Sequence, residues 1–146
     1  MALVYTLDAS VVLNAFLPHE VDHQQSLGLL RELIAQGLPL VEPTLLLAEV
    51  AATLSRGQPD PVRARHFVES LARLPGLVLV ALDSTLGRQA AAIAADHRLR
   101  GADAVYAATA LRFGATLVSR DREQLERAAA TVPTREPTQA YHEIVA

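Results

Sequence analysis

Short apolar runs that alternate with longer helix-like stretches predict an α/β domain built on a mostly parallel sheet. Three observations carry this reading. The runs at 3–7, 77–82 and 115–119 are strand-length and rich in Leu and Val. Stretches of helix length separate them, and parallel neighbours require crossovers of that length. Helix-opening Asp or Pro residues and helix-closing Gly residues stand at the joints between elements.

The first strand is Leu3–Leu7, followed by a short helix from Ser10 to Phe16 that Pro18 ends. Asp22–Gln36 reads as a helix stopped by Gly37, and Leu38–Val41 as a brief strand. Pro43 then takes a helix-opening position in a helix reaching Arg56. After the loop at 57–61, Asp60 caps and Pro61 opens a helix to Arg73. Pro75-Gly76 turns the chain into Leu77–Leu82, whose unbroken apolar character is that of a fully buried parallel strand. Asp83 caps a helix to His97, and Gly101–Phe113 is a helix closed by Gly114. A strand at Ala115–Ser119 and a helix at Asp121–Ala130 follow. Thr131–Thr134 fits only an edge strand because of Pro133, and the tail from about 133 to 146 is unassigned.

The 146 residues make one domain by length, 1–146, with 51% hydrophobic and 20% charged residues, the balance of a folded soluble protein. There is no cysteine, so disulfides and thiolate metal sites are excluded. No apolar run is long enough for a membrane span and no secretory signal is visible, so a cytoplasmic location is expected. The net charge of −3 gives no global attraction to nucleic acid. All thirteen basic residues are arginine, which grips phosphate better than lysine, although a codon bias toward Ala, Leu, Val and Arg explains the pattern equally simply.

Four acids mark the joints between elements. Asp8 ends the first apolar run, Asp121 follows the last one, Asp103 lies in the first turn of its helix, and Glu49 sits mid-helix among apolar neighbours. Each Asp has an ordinary role open to it as a helix cap or first-turn acid. Capping does not account for Glu49, and no cation stands three or four positions from it. Ligands in open parallel sheets bind beyond the carboxyl ends of the strands, where Asp8 and Asp121 fall. Clustered carboxylates suit Mg²⁺ or Mn²⁺, and such an ion activates water and stabilises charge on a phosphodiester. Ser10 and Ser119, each two residues from an Asp, are placed to orient a carboxylate.

Asp8-Ala9-Ser10, Pro43 with Glu49, Gly101-Ala102-Asp103-Ala104 and Leu117-Val118-Ser119-Arg120-Asp121 resemble the successive motifs of PIN-domain ribonucleases, most closely the VapC-type toxins of toxin–antitoxin pairs. The resemblance implies a PIN-like three-layer α/β/α fold and a Mg²⁺- or Mn²⁺-dependent endoribonuclease. It also implies a homodimer held inactive by a small antitoxin. By position Asp8, Glu49, Asp103 and Asp121 would hold metal and Ser119 would support them. Arg98, Arg100, Arg120 and Arg122 flank these acids and are candidates for phosphate, with Ser10 and Asn14 as further cleft residues. The net charge departs from the basic character frequent among such toxins.

Three rival readings compete with this one. A non-catalytic PIN-like binding module for nucleic acid or protein would be favoured by missing acids, and none is missing. His19-Glu20-Val21-Asp22-His23 satisfies the zinc-peptidase pattern, with Glu42 as a third ligand to seek, but Pro18 denies it the sustained helix it needs. A phosphoaspartate enzyme of the haloacid-dehalogenase kind would carry a second Asp at position 10, where Ser10 stands. Of the six aromatic residues, Tyr5, Tyr106 and Phe113 fall in expected core elements, which leaves few for stacking on RNA bases.

Overall fold

A computed structural model describes residues 3–146. Five strands form one sheet, β1 (Tyr5–Leu7), β2 (Leu40–Pro43), β3 (Leu77–Val80), β4 (Thr116–Val118) and β5 (Thr134–Arg135). They are all parallel in the order β3-β2-β1-β4-β5. The first strand of the chain is therefore the middle strand of the sheet. Its side chains Tyr5, Thr6 and Leu7 are fully buried.

Eight helices complete the described chain: α1 (Ala9–Phe16), α2 (His23–Ala35), α3 (Leu45–Gly57), α4 (Pro61–Ala72), α5 (Ser84–His97), α6 (Gly101–Phe113), α7 (Arg122–Ala128) and α8 (Pro137–Val145). They cover both faces in a three-layer α/β/α arrangement. α6 lies against β1, β2 and β4 with α5 beside it, while α1 packs on α2 and α3. Small side chains let α6 sit this deep, for Ala104 to Ala110 are all buried. Gly114 ends it in the left-handed region at φ 63°, where glycine has no side-chain penalty. None of the described helices is long and apolar enough to cross a membrane.

The structure differs from the sequence reading in four places. Leu77–Val80 is an outer strand rather than a fully buried one, with Val78 47% exposed, because it has a neighbour on one side only. Pro43 closes β2 instead of opening α3, which begins at Leu45. Phe113, expected in the core, is 42% exposed because it ends its helix. The unassigned tail holds β5 and α8. Pro137 stands at the start of α8, and Glu136 and Gln139 form a reciprocal capping box around it. α8 packs on α2, and Glu143 receives the buried Tyr5 hydroxyl at 2.6 Å.

Candidate metal centre

The site is built from chain ends at the carboxyl edge of the sheet. β1 stops at Leu7, and Asp8 caps α1 by accepting the Val11 amide at 3.2 Å. β4 stops at Val118, and Asp121 caps α7 by accepting the amides of Glu123 at 3.0 Å and Gln124 at 3.2 Å. Neighbouring β1 and β4, with Leu7 opposite Val118, bring these two corners together. Capping and clustering thus use the same residues, because a strand that feeds directly into a helix places the capping acid at the sheet edge.

Ser119 joins the corners. Its hydroxyl lies 2.5 Å from Asp8 Oδ2, and Ser10 donates to Asp8 Oδ1 at 2.5 Å. Ser119 Oγ also accepts the Asp121 amide at 3.0 Å and lies 2.8 Å from the Gln124 side-chain amide. One hydroxyl proton cannot serve both Asp8 and Gln124, and Gln124 Nε2 would otherwise stay buried without an acceptor. An amide turned so that its NH2 donates to Ser119 leaves the hydroxyl proton for Asp8. Gln124 is thereby a supporting residue beside Ser119.

The other two acids come from helices. Asp103 lies in the first turn of α6, and Tyr106, one turn further on, donates to Glu49 on α3 at 2.6 Å. Burial, together with the bond to Glu49, pushes the Tyr106 hydroxyl far above its ordinary range. Burial raises the Asp8 carboxyl, its hydrogen bonds oppose the rise, and the charge of Asp103 adds to it. Burial also raises Asp103, with Arg100 opposing and the charges of Asp121 and Glu49 adding. Asp103 is therefore close enough to feel the charge of each of the other three acids. Among the described residues no three His or acidic side chains already converge as a finished metal cluster. The donor set still fits a hard divalent cation, since all four supply carboxylate oxygen and such an ion relieves their repulsion.

Arg100 meets part of that charge. Its Nε is 3.3 Å from Asp103 Oδ2 and its Nη2 is 3.0 Å from Asp121 Oδ2, with the side chain 78% exposed. Leu99, Arg100, Asp103, Asp121, Gln124 and Arg127 line an adjoining cleft of about 260 Å³. The other flanking arginines are occupied differently. Arg120 holds the Val21 carbonyl at 3.0 Å and approaches Glu20 at 3.9 Å, tying the α1–α2 loop to the corner before α7. Arg122 pairs with Glu136 at 3.6 Å, and the Arg98 carbonyl accepts from Arg127 at 2.7 Å. Asn14, expected in the cleft, is fully buried because Nδ2 spans Glu20 Oε1 at 3.2 Å and the Val21 carbonyl at 2.9 Å.

The zinc-peptidase pattern does not form a site. His19, Glu20 and Val21 precede α2, and His23 begins it with Nδ1 2.7 Å from the Asn14 carbonyl. Glu42 is remote from that pattern in role, being wholly buried at the end of β2. Its Oε2 accepts the Leu7 amide at 2.6 Å, and its Oε1 has no partner among the described residues. Burial places the Glu42 carboxyl well above the ordinary range, opposed by the Leu7 bond and assisted by the charge of Asp8. The sequence signal for it was a lone acid between the strand residues Leu40-Val41 and Pro43.

Comparison with known proteins agrees with this architecture. No curated protein sequence matches the chain. Among solved structures, VapBC2 from Rickettsia felis bound to a DNA fragment from its promoter is similar at TM-score 0.71 and 14% identity, covering 92% of this chain and 98% of that one. PAE2754 from Pyrobaculum aerophilum is similar at TM-score 0.70 and 21% identity, covering 99% and 98%. FitAcB from Neisseria gonorrhoeae is similar at TM-score 0.68 and 21% identity, covering 92% and 98%. The family model of the PIN domain matches residues 5–130, a span that contains all four acids of the site, and the chain belongs to the PIN domain family.

Proposed function

We propose that this chain is a Mg²⁺- or Mn²⁺-dependent endoribonuclease, the toxin of a toxin–antitoxin pair, acting in the cytoplasm. The observation that carries the reading is the treatment of Asp8. A buried carboxylate with a hydroxyl on each oxygen and further acids around it is costly to hold without a cation. Asp8, Asp103, Glu49 and Asp121 are the residues that would hold the ion. When bound, it supplies an acidified water and neutralises charge developing on the phosphodiester.

The chain's own groups do the rest. Ser10 and Ser119 fix both oxygens of Asp8, and Tyr106 fixes Glu49, so two acids from different elements keep a set orientation. Arg100 neutralises Asp103 and Asp121 in the cation-free site, and its exposed guanidinium is free to turn to a phosphate oxygen of RNA. Hydrolysis adds the elements of water across one phosphorus–oxygen bond. Similarity to VapBC2 from Rickettsia felis and to a toxin–antitoxin complex from Klebsiella pneumoniae supports a small cognate antitoxin as partner, and the reading includes a homodimer.

The test is cleavage of total cellular RNA by the purified protein with Mg²⁺ or Mn²⁺ against EDTA, beside Asp8→Asn. Asn caps a helix as well as Asp does, so the variant keeps α1. Discrete metal-dependent fragments that vanish in the variant are expected. Equal cleavage by the variant refutes the assignment, and no cleavage by folded, partner-free wild type that binds metal favours a binding module.

A further inference from the structure

The β1–β2 ladder fails one bond short of the site. In a parallel pair, alternate amides of a strand point to the same neighbour. The Tyr5 amide donates to the carbonyl of Pro39, the residue just before β2, at 3.2 Å, so the Leu7 amide also faces β2. Its regular partner would be the Val41 carbonyl. That carbonyl instead accepts the Thr6 hydroxyl at 2.7 Å, and the Leu7 amide meets Glu42 Oε2 at 2.6 Å. The next amide, that of Asp8, returns to the other side and donates to the Val118 carbonyl at 3.0 Å.

We infer that Glu42 is a positioning residue for the metal centre, its carboxyl wedged between β1 and β2 to hold the Leu7 amide and so to set where Asp8 leaves the sheet. The inference rests on the reading of Asp8 as a metal ligand. Two things set Glu42 apart from an ordinary strand residue. A wholly buried carboxyl is costly, and here one of its oxygens has no partner among the described residues. A small residue would have let the backbone ladder continue to the edge, placing Asp8 by Val41 rather than by a side chain. The Glu42 carboxyl thus takes the place of the Val41 carbonyl one residue before Asp8 caps α1.

Side-chain length, not charge, is what this role needs. Glu42→Gln keeps the reach and one acceptor for Leu7, whereas Glu42→Asp keeps the carboxyl and draws it back by one methylene. Titration of the metal-free protein with Mn²⁺ alone, by calorimetry, separates the two. Wild type and Glu42→Gln are expected to bind within about threefold of each other, and Glu42→Asp about 10–100-fold more weakly, the usual cost of losing a group that orients a ligand. The Leu7 amide resonance is expected to move in Glu42→Asp and to stay in place in Glu42→Gln. Wild-type affinity in Glu42→Asp, or a loss in Glu42→Gln of tenfold or more, overturns the inference. The Glu42→Gln result decides alone if the aspartate variant does not fold. Asp8→Asn in the same titration tests the underlying reading, since unchanged Mn²⁺ binding there removes Asp8 from the metal site whatever Glu42 does.

Discussion

The Ser119 hydroxyl meets Asp8 Oδ2 at 2.5 Å, linking the ends of two adjacent parallel strands across 111 positions of sequence. Ser119 is itself fully buried and also takes the Asp121 amide, so one hydroxyl orders two acids of the site. Ser119→Ala removes both bonds. The expected outcome is a loss of about 10–100-fold in metal affinity. Calorimetric titration with Mn²⁺ checks it, with Ser119→Thr expected to recover part of the loss.

Tyr106 offers a cleaner separation of site from fold. Its ring fills the core while its hydroxyl donates to Glu49 at 2.6 Å. Tyr106→Phe keeps the ring and frees the carboxylate. Stability is expected to change by about 1 kcal/mol, the net worth of one hydrogen bond, in thermal melts. Metal-dependent cleavage is expected to fall about tenfold or more, because Glu49 then samples several rotamers.

Arg100 makes two contacts to the acids while most of its surface meets solvent. Exposed ion pairs contribute about 0–1 kcal/mol, so Arg100→Gln is expected to leave the melting temperature nearly unchanged. Removing a cation that competes for Asp103 and Asp121 should tighten Mn²⁺ binding at low salt, and the difference from wild type should shrink as salt screens it. Weaker binding in the variant would contradict this.

Acidity should act on this protein in an unusual direction. Asp8 and Asp103 both have folded-state values raised above the ordinary 3.8. The folded chain thus holds these protons more tightly than the unfolded chain does. Their contribution favours folding at low pH and turns unfavourable as pH rises from 3.8 through the raised values. Asp8→Asn is therefore expected to stabilise the metal-free protein near neutral pH, and added Mn²⁺ to stabilise wild type there but not the variant. Melting curves across pH, with and without Mn²⁺, check both.

What was legible in the sequence and what was not divide along physical lines. Asp8 and Asp121 stood out because each follows an apolar strand and opens a helix, two local signals that coincide. The order of strands in the sheet is not local, and so Leu77–Leu82 read as a fully buried strand although β3 lies at an edge. Glu42 gave a weak signal, since a single acid beside a proline resembles a turn as much as a buried wedge. Arg120 and Arg100 look equivalent beside their acids, yet one is bound to the Val21 carbonyl and the other to Asp103 and Asp121. The helix at the tail was written plainly in Glu136-Pro137-Thr138-Gln139, a capping signature followed by too few residues to attract notice.

The placement of the chain's first strand at the centre of the sheet governs when the protein becomes complete as it is made. Asp8 and Glu49 leave the ribosome early, but β1 has no neighbour on its β4 side until residues 116–118 have been added. Ser119 and Asp121 follow immediately, and the Tyr5 hydroxyl waits for Glu143, 138 positions further along the chain. Pairings this distant close late and slowly. A nascent chain therefore carries Asp8 and Glu49 without the arrangement that groups them, and the ribosome making it holds an incomplete site until residues 116–121 have been added.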